Sequence, residues 1–318
     1  MTEMTYALYY AGMANDLITE QIGLAVSPDG RRFERVGDGL LVPVSAVHPW
    51  KSLRTCNPTV VARPGGGYAM FYQGISQQQE TCIAAGWSDD GLAWRFDDEP
   101  LLTVSTLAEE LETQKRSLVG LIEPSVLVDA DGFRMWFVSR GANEPGNRLH
   151  HARSADGKSW CLDGVGLVAG GDFGAGRAIH YPQVFPHGSG FILDLSLKAR
   201  DGSFTVMRGF SADGLTFGDW NEDMPRVFRR GLAHRIRRRL RRRAERFALG
   251  LAHSHVIPGE TATYYHAYHL NARGRVWMDV VRRDAAEPGV ARTAFSPAEA
   301  AEAWDSFFVA DPFVARLG

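Results

Sequence analysis

The sequence predicts an all-β fold, a five-bladed β-propeller with four-stranded blades, whose first blade is closed by the N- and C-terminal strands together. Three observations predict it. A strand opening recurs at Asn57-Pro58-Thr59-Val60, Glu123-Pro124-Ser125-Val126, Tyr181-Pro182-Gln183-Val184 and Asp311-Pro312-Phe313-Val314, with a weaker copy, His253-Ser254-His255-Val256, that lacks the proline. An Asp-Gly turn led by serine recurs out of phase with it, at Ser27-Pro28-Asp29-Gly30, Ser88-Asp89-Asp90-Gly91, Ser154-Ala155-Asp156-Gly157 and Ser211-Ala212-Asp213-Gly214, its serines 57 to 66 residues apart. That spacing holds four strands and one long connection. Finally, short apolar runs alternate with turns throughout, and helical periodicity is confined to a few connections.

Each blade is read as strands A to D. Strand A is the opening, and a Gly-rich turn leads from it to an aromatic strand B: Tyr68 to Tyr72, Phe133 to Val138, Phe191 to Leu195 and Thr263 to Tyr268. The terminal opening, Asp311 to Gly318, has no such sequel. Tyr6-Ala7-Leu8-Tyr9-Tyr10, at the other end of the chain, supplies it. Strand C then meets strand D at the Asp-Gly turn, a strong hairpin signal because both turn residues tolerate positive φ. The aromatic three residues past each glycine (Phe33, Trp94, Trp160, Phe217) fits a side chain folding back over that turn. The five units form one domain over residues 1–318. A-to-B and C-to-D turns share one face and are tight. The other face carries the longer, chemically varied loops, which usually hold function. The first residue of each A strand lies at that second face beside the axis: Asp311, Asn57, Glu123, Tyr181 and His253.

Composition sets bounds. Of the 318 residues 45% are hydrophobic and 23% charged, with a net charge of −2, so the chain as a whole gives no reason to expect a polyanionic partner. Met1-Thr2-Glu3-Met4 has neither a basic nor an apolar leader region, and three scattered cysteines (Cys56, Cys82, Cys161) make no disulfide or metal pattern. The expectation is a cytoplasmic protein with unpaired thiols.

The propeller places Asp311 and Glu123 across a central funnel. Two carboxylates flanking a scissile bond are what glycoside hydrolysis needs, one as acid and the other as base or nucleophile. Here the chain resembles the five-bladed glycoside hydrolase clan of families 43, 62, 32 and 68, whose architecture the family 130 mannoside phosphorylases share. In such enzymes one aspartate acts as base, a second tunes the acid, and a glutamate is the acid. The resemblance implies that Asp311 is the base and Glu123 the acid. Asn57 falls on the tuning aspartate and departs from the pattern. Arg54 with Asn57-Pro58 is similar to the Arg-Asp-Pro motif of family 32, with the same substitution. An amide can bind a sugar hydroxyl or orient Glu123 but carries no charge. A ligand-binding or biosynthetic propeller with altered chemistry, and a phosphate-dependent phosphorylase, therefore stay open beside a hydrolase.

His180, Tyr181, His253 and His255 open blades four and five and are expected to bind substrate, the last two pointing the same way because they are two apart on a strand. His266 and His269, on strand B, are expected to be structural. No cofactor is expected, although the resemblance leaves room for a divalent cation in the channel near a blade-five histidine. Arg54, Arg116, Arg140, Arg177 and Lys198 fall in the loops of the functional face and suit an anionic sugar or phosphate. The segment Arg229 to Gly250 carries ten arginines against one acid, Glu245, leaving a charge of −11 on the rest of the chain. Leu232, Ile236, Leu240, Ala244 and Phe247 give it the stripe of an amphipathic helix. Docking on the acidic propeller or on a second subunit is the favoured reading, and a membrane surface stays open. Nucleic acid is disfavoured, because no aromatic residues interleave with the arginines. A short helix is expected over residues 297–306, with Ser296 as its cap.

Overall fold

The computed structural model describes residues 5–14, 18–107, 118–141, 146–200, 202–222, 247–257, 259–270, 276–287, 291–299 and 303–317. The chain opens with β1 (Thr5–Met13), β2 (Glu20–Ser27) and β3 (Glu34–Val42). Four-stranded antiparallel meanders follow: β4 (Arg54–Ala62), β5 (Tyr68–Ile75), β6 (Thr81–Ser88) and β7 (Trp94–Phe96); then β8 (Leu118–Asp129), β9 (Gly132–Gly141), β10 (Arg148–Ser154) and β11 (Cys161–Ala169). The fourth is β12 (Ala178–His187), β13 (Gly190–Lys198), β14 (Phe204–Ser211) and β15 (Gly218–Glu222). The fifth is β16 (Phe247–Val256), β17 (Thr263–Leu270), β18 (Val276–Arg283) and β19 (Ala291–Phe295). The last strand, β20 (Phe308–Leu317), pairs antiparallel with β1 and completes the first blade as β20-β1-β2-β3.

The aromatic B strands expected from the sequence are β1, β5, β9, β13 and β17. They are aromatic because each lies between neighbouring blades, where large flat side chains fill the seams. Five apolar clusters occupy five seams. Leu24, Val60, Met70 and Phe313 join the first and second blades; Phe71, Phe133, Met135 and Phe137 join the second and third. Trp136 and Val138 meet Leu193 and Leu195 between the third and fourth. Val206 meets Leu251 and Tyr265 between the fourth and fifth. Tyr264 and Val280 meet Leu8, Tyr10 and Val314 to close the ring. The inner strands touch in sequence, β4 to β8, β8 to β12, β12 to β16, β16 to β20 and β20 back to β4.

The serine-led Asp-Gly turns take the expected form. Ser27, Ser88, Ser154 and Ser211 each accept the glycine N–H three residues on, at 3.0, 2.8, 2.9 and 2.9 Å. The four glycines have φ between +69° and +80°, where a Cβ would be strained. Trp94 and Trp160 fold back and donate to the carbonyls of Gly91 and Gly157. A neighbouring blade adds a second latch at three turns: Tyr9 donates to Gly91, Trp136 to Gly214 and Tyr264 to Gly30.

Two helical expectations need comment. Most of the Arg-rich segment, residues 223–246, lies outside the described residues. Its last four residues, Phe247 to Gly250, start strand β16 and are not helical. The helix expected over residues 297–306 is not formed by the described part of that stretch. Trp304 to Ser306 is a turn, and Asp305 is buried there to accept from Tyr10 (2.8 Å) and to pair with Arg35 (2.7 Å). Those long-range polar contacts outweigh local helix propensity.

Candidate active site

The site begins with backbone. Asn57, Glu123, Tyr181, His253 and Asp311 have φ of 52°, 58°, 50°, 52° and 49°. At each, pairing with the next strand slips: between Cys56 and Thr59, Ile122 and Ser125, His180 and Gln183, Ala252 and His255, and Ala310 and Phe313. Every inner strand thus carries a β-bulge at the residue predicted to sit by the axis. A left-handed non-glycine residue costs roughly 1–3 kcal/mol, and such strain collects at functional sites. The bulge also breaks the two-residue alternation. His253 faces Asp311, whereas His255 turns to the opposite mouth of the channel, where Nε2 donates to the Val314 carbonyl at 2.9 Å. The expectation that both histidines point one way is corrected, and His255 does not line the funnel.

On the long-loop face the bulges open into a cavity of about 470 Å³, lined by Asp311, Glu123, Asn57, Arg54, His180 and Tyr181, as the sequence suggests. Asp311 is 4% exposed. Its Oδ1 lies 3.4 Å from Nδ1 of His253 and 3.2 Å from Nδ1 of His266. Burial pushes the carboxyl upward, but hydrogen bonds and charge from His253 and His266 together outweigh it and hold Asp311 below the usual carboxylate range. The backbone N–H of Asp311 also donates to Nδ1 of His266 at 3.2 Å. That nitrogen therefore accepts from the backbone when His266 is neutral and serves the carboxylate when it is protonated. His266, expected to be structural, belongs to the site. The ring nitrogens of both histidines and an Asp311 oxygen lie within 4.8 Å of one another, and their mutual hydrogen bonds account for that convergence.

Glu123 is held at both oxygens. Nδ1 of His180 lies 2.9 Å from Oε1, and the Tyr181 N–H donates to Oε2 at 2.8 Å. Nε2 of His180 is buried with no hydrogen-bond partner among the described residues. Asn57 donates from Nδ2 to Oε1 of Gln73 at 2.9 Å, and Gln73 accepts the Glu123 N–H on the same atom at 3.2 Å. Arg54 donates from Nε to the Ile18 carbonyl and sits 3.7 Å from Glu20. Tyr181 packs its ring against His253 and His266, with centroids 5.1 Å away in each case.

Arg177 precedes β12 and does not line the cavity, and Arg116 lies outside the described residues. The rim is nonetheless cationic, through Arg54, Arg140 and Lys198. Two lining residues have no signal in the sequence pattern. Gln73 sits in an otherwise ordinary B strand. Glu20, at the head of β2, brings a third carboxyl into the funnel.

No protein-family model matches the chain. In sequence it is similar to two uncharacterised proteins of Mycobacterium tuberculosis, each 30% identical over 59% of this chain and spanning 62% of the relative's length. In structure it is similar to a thermostable family-43 glycoside hydrolase (TM-score 0.58, 14% identity, 94% of this chain and 92% of that one). It is equally similar to an endo-arabinase from Bacteroides thetaiotaomicron (TM-score 0.58, 14% identity, 87% and 89%). A third likeness is to a member of the family 130 of mannoside phosphorylases, described as containing glycoside hydrolases that target β-1,2 mannosidic linkages in Candida mannan (TM-score 0.53, 14% identity, 84% of each chain). The structural neighbours across most of the chain are five-bladed propeller glycosidases and phosphorylases, and at this identity the likeness is one of fold.

Proposed function

We propose that the protein is a carbohydrate-active enzyme that cleaves a glycosidic bond by acid/base chemistry in the axial funnel. The observation that carries this reading is the pair Asp311 and Glu123. Two buried carboxyls on equivalent bulges line one cavity, and each is backed by histidine. Asp311, held ionised chiefly by His253, takes the proton of an attacking water or itself attacks the anomeric carbon. Glu123 protonates the departing oxygen as the C–O bond breaks, and His180, in contact with Oε1, is placed to return the proton. The fold likeness to family 43 and family 130 enzymes supports a sugar as substrate.

A second reading has its own support. Arg54, Arg140 and Lys198 on the cavity wall suit an anionic glycoside, or inorganic phosphate as the nucleophile in place of water. The test is a panel of aryl glycosides and anionic oligosaccharides, assayed with and without phosphate. Glu123→Gln and Asp311→Asn should each lower turnover by about 100-fold or more while leaving the chain folded. Phosphate-dependent turnover selects the phosphorylase. Equal turnover in both variants and the parent would take the two carboxyls out of the mechanism, and no turnover of any panel member by the parent would leave a ligand-binding propeller.

A further inference from the structure

Glu20 opens β2, opposite Met13 of β1 and bridged in parallel to Arg54 of β4. It is 8% exposed and looks into the funnel. Carboxylate oxygens of Glu20 and Asp311 and the thiol of Cys56 lie within 4.8 Å of one another. Two carboxyls that close in a buried site do not both hold a charge. His253, whose Nδ1 lies 3.4 Å from Oδ1, stabilises an anion at Asp311, and the His266 ring closes the other side. The cation beside Glu20 is Arg54, whose Nη1 lies 3.7 Å from Oε2, beyond hydrogen-bond length, while its Nε is taken by the Ile18 carbonyl. The negative charge therefore settles on Asp311 and the proton on Glu20.

We propose that Glu20 is the third carboxyl of the site and a positioning residue: neutral at rest, it directs its proton toward Asp311 and holds that carboxylate for reaction, and its ionisation disables the site. The proposal rests on the acid/base reading above. The amide of Asn57 is committed to Gln73, and the cavity's third carboxyl comes instead from the first blade, through the β2–β4 bridge, where it serves Asp311 rather than Glu123. Carboxylate oxygens of Glu20 and Asp311 lie within 4.8 Å of each other, a gap narrow enough for one substrate hydroxyl or water to bridge.

The electrostatics agree. Burial first, and then the charge of Asp311, push Glu20 up to about 8 against the pull of Arg54. The groups facing it are Arg54 and Cys56 from β4 and Asp311 from β20, with His253 and His266 behind the last; β1 offers Met13 and β3 offers Val42. Glu123, His180, Arg140 and Lys198 line the same cavity. When Glu20 ionises, a second anion appears beside Asp311, and the funnel becomes less attractive to an anionic ligand.

The test needs no substrate at first. Infrared difference spectra of the full chain, titrated from about pH 5 to about pH 10, should show a protonated-carboxyl band that survives at neutral pH. It should vanish with a midpoint of about 8. Glu20→Gln should remove this component while Glu123→Gln leaves it in place, which separates it from any band of the catalytic acid, and Asp311→Asn should move its midpoint to lower pH. A band lost at ordinary carboxylate pH, or one untouched by Glu20→Gln, overturns the pairing. On any glycoside turned over, Glu20→Ala should lower kcat/KM by about tenfold or more, and Glu20→Gln should recover part of that and move the alkaline limb to higher pH. An alkaline limb identical in Glu20→Gln and the parent overturns the positioning role. The correct titration in a chain that cleaves no glycoside supports the carboxyl pair and overturns the proposed function instead.

Discussion

Asn57 shows how neighbours dictate one side chain. The Glu123 N–H can only donate, so Gln73 must present Oε1 to it, and Asn57 must then present Nδ2 to that same oxygen. Both amide orientations follow from one backbone hydrogen. The remaining Asn57 oxygen is buried without a partner among the described residues, which suits it to accept from a sugar hydroxyl. An aspartate here would set a carboxylate oxygen 2.9 Å from the Gln73 acceptor. Gln73 could relieve that only by rotating away from Glu123. Asn57→Asp should consequently cost roughly 1–3 kcal/mol of stability and reduce activity, even though the related glycosidase motif carries aspartate. Thermal unfolding and turnover of the variant check this. A more active Asn57→Asp enzyme of unchanged stability would show that the Gln73 link does not set the residue.

At the scale of the element, β20 bears the most. It pairs with β1 from Thr5↔Leu317 to Met13↔Phe308 and carries Asp311 on its bulge. Phe313 and Leu317 fill the seam to the second blade, and Val309 and Val314 that to the fifth. His255 of β16 is bonded to its Val314 carbonyl. Ending the chain after Ala310 deletes three of these apolar side chains, at roughly 1.5–3 kcal/mol each, and exposes β1 as an edge strand. Set against the ~5–15 kcal/mol of a typical domain, that should unfold the first blade, read as loss of cooperative thermal unfolding. Asp311→Asn, which removes only the charge, should stay folded; a truncated chain as stable as the parent would uncouple closure from the site. Strands and turns are legible in the sequence because repetition marks them: the five openings mark the five axial residues, each of which sits on a bulge. Residues that break the repeat were not legible. The strand starts equivalent to Glu20 hold Thr81, Arg148, Phe204 and Val276, so nothing periodic points to it. His255 was misplaced because period-two alternation ignores the left-handed residue at 253. His266 looked structural because its partner, Asp311, is 45 residues away.

For the whole molecule, the buried ionisable groups set a stability profile that can be worked out by sign. Burial, helped by Arg148, takes His150 down to about 4, and burial takes His255 down to about 3, from an ordinary 6.5. His151 and His266 are also lowered, chiefly by burial. Below pH 6.5 the unfolded chain binds protons that these folded-state rings refuse, so their contribution is full above that value and is lost as pH falls. Glu20 acts oppositely. Its carboxyl rises from 4.5 to about 8, so the folded state keeps a proton that the unfolded chain has released. Its contribution is full below 4.5 and is lost as pH climbs to about 8. Each group gives a slope of at most about 1.4 kcal/mol per pH unit. Between 4.5 and 6.5 several histidines oppose one glutamate and stability rises with pH; between 6.5 and about 8, among the shifted groups of the described residues, Glu20 alone acts and stability falls. Thermal unfolding temperature should therefore peak near about pH 6.5 and then decline by a few degrees towards pH 8. In Glu20→Gln the decline should disappear while the acid side keeps its shape. An unfolding temperature that climbs steadily to pH 8 in the parent chain would mean that Glu20 is already ionised at neutral pH, and that the charge in the funnel is shared rather than concentrated on Asp311.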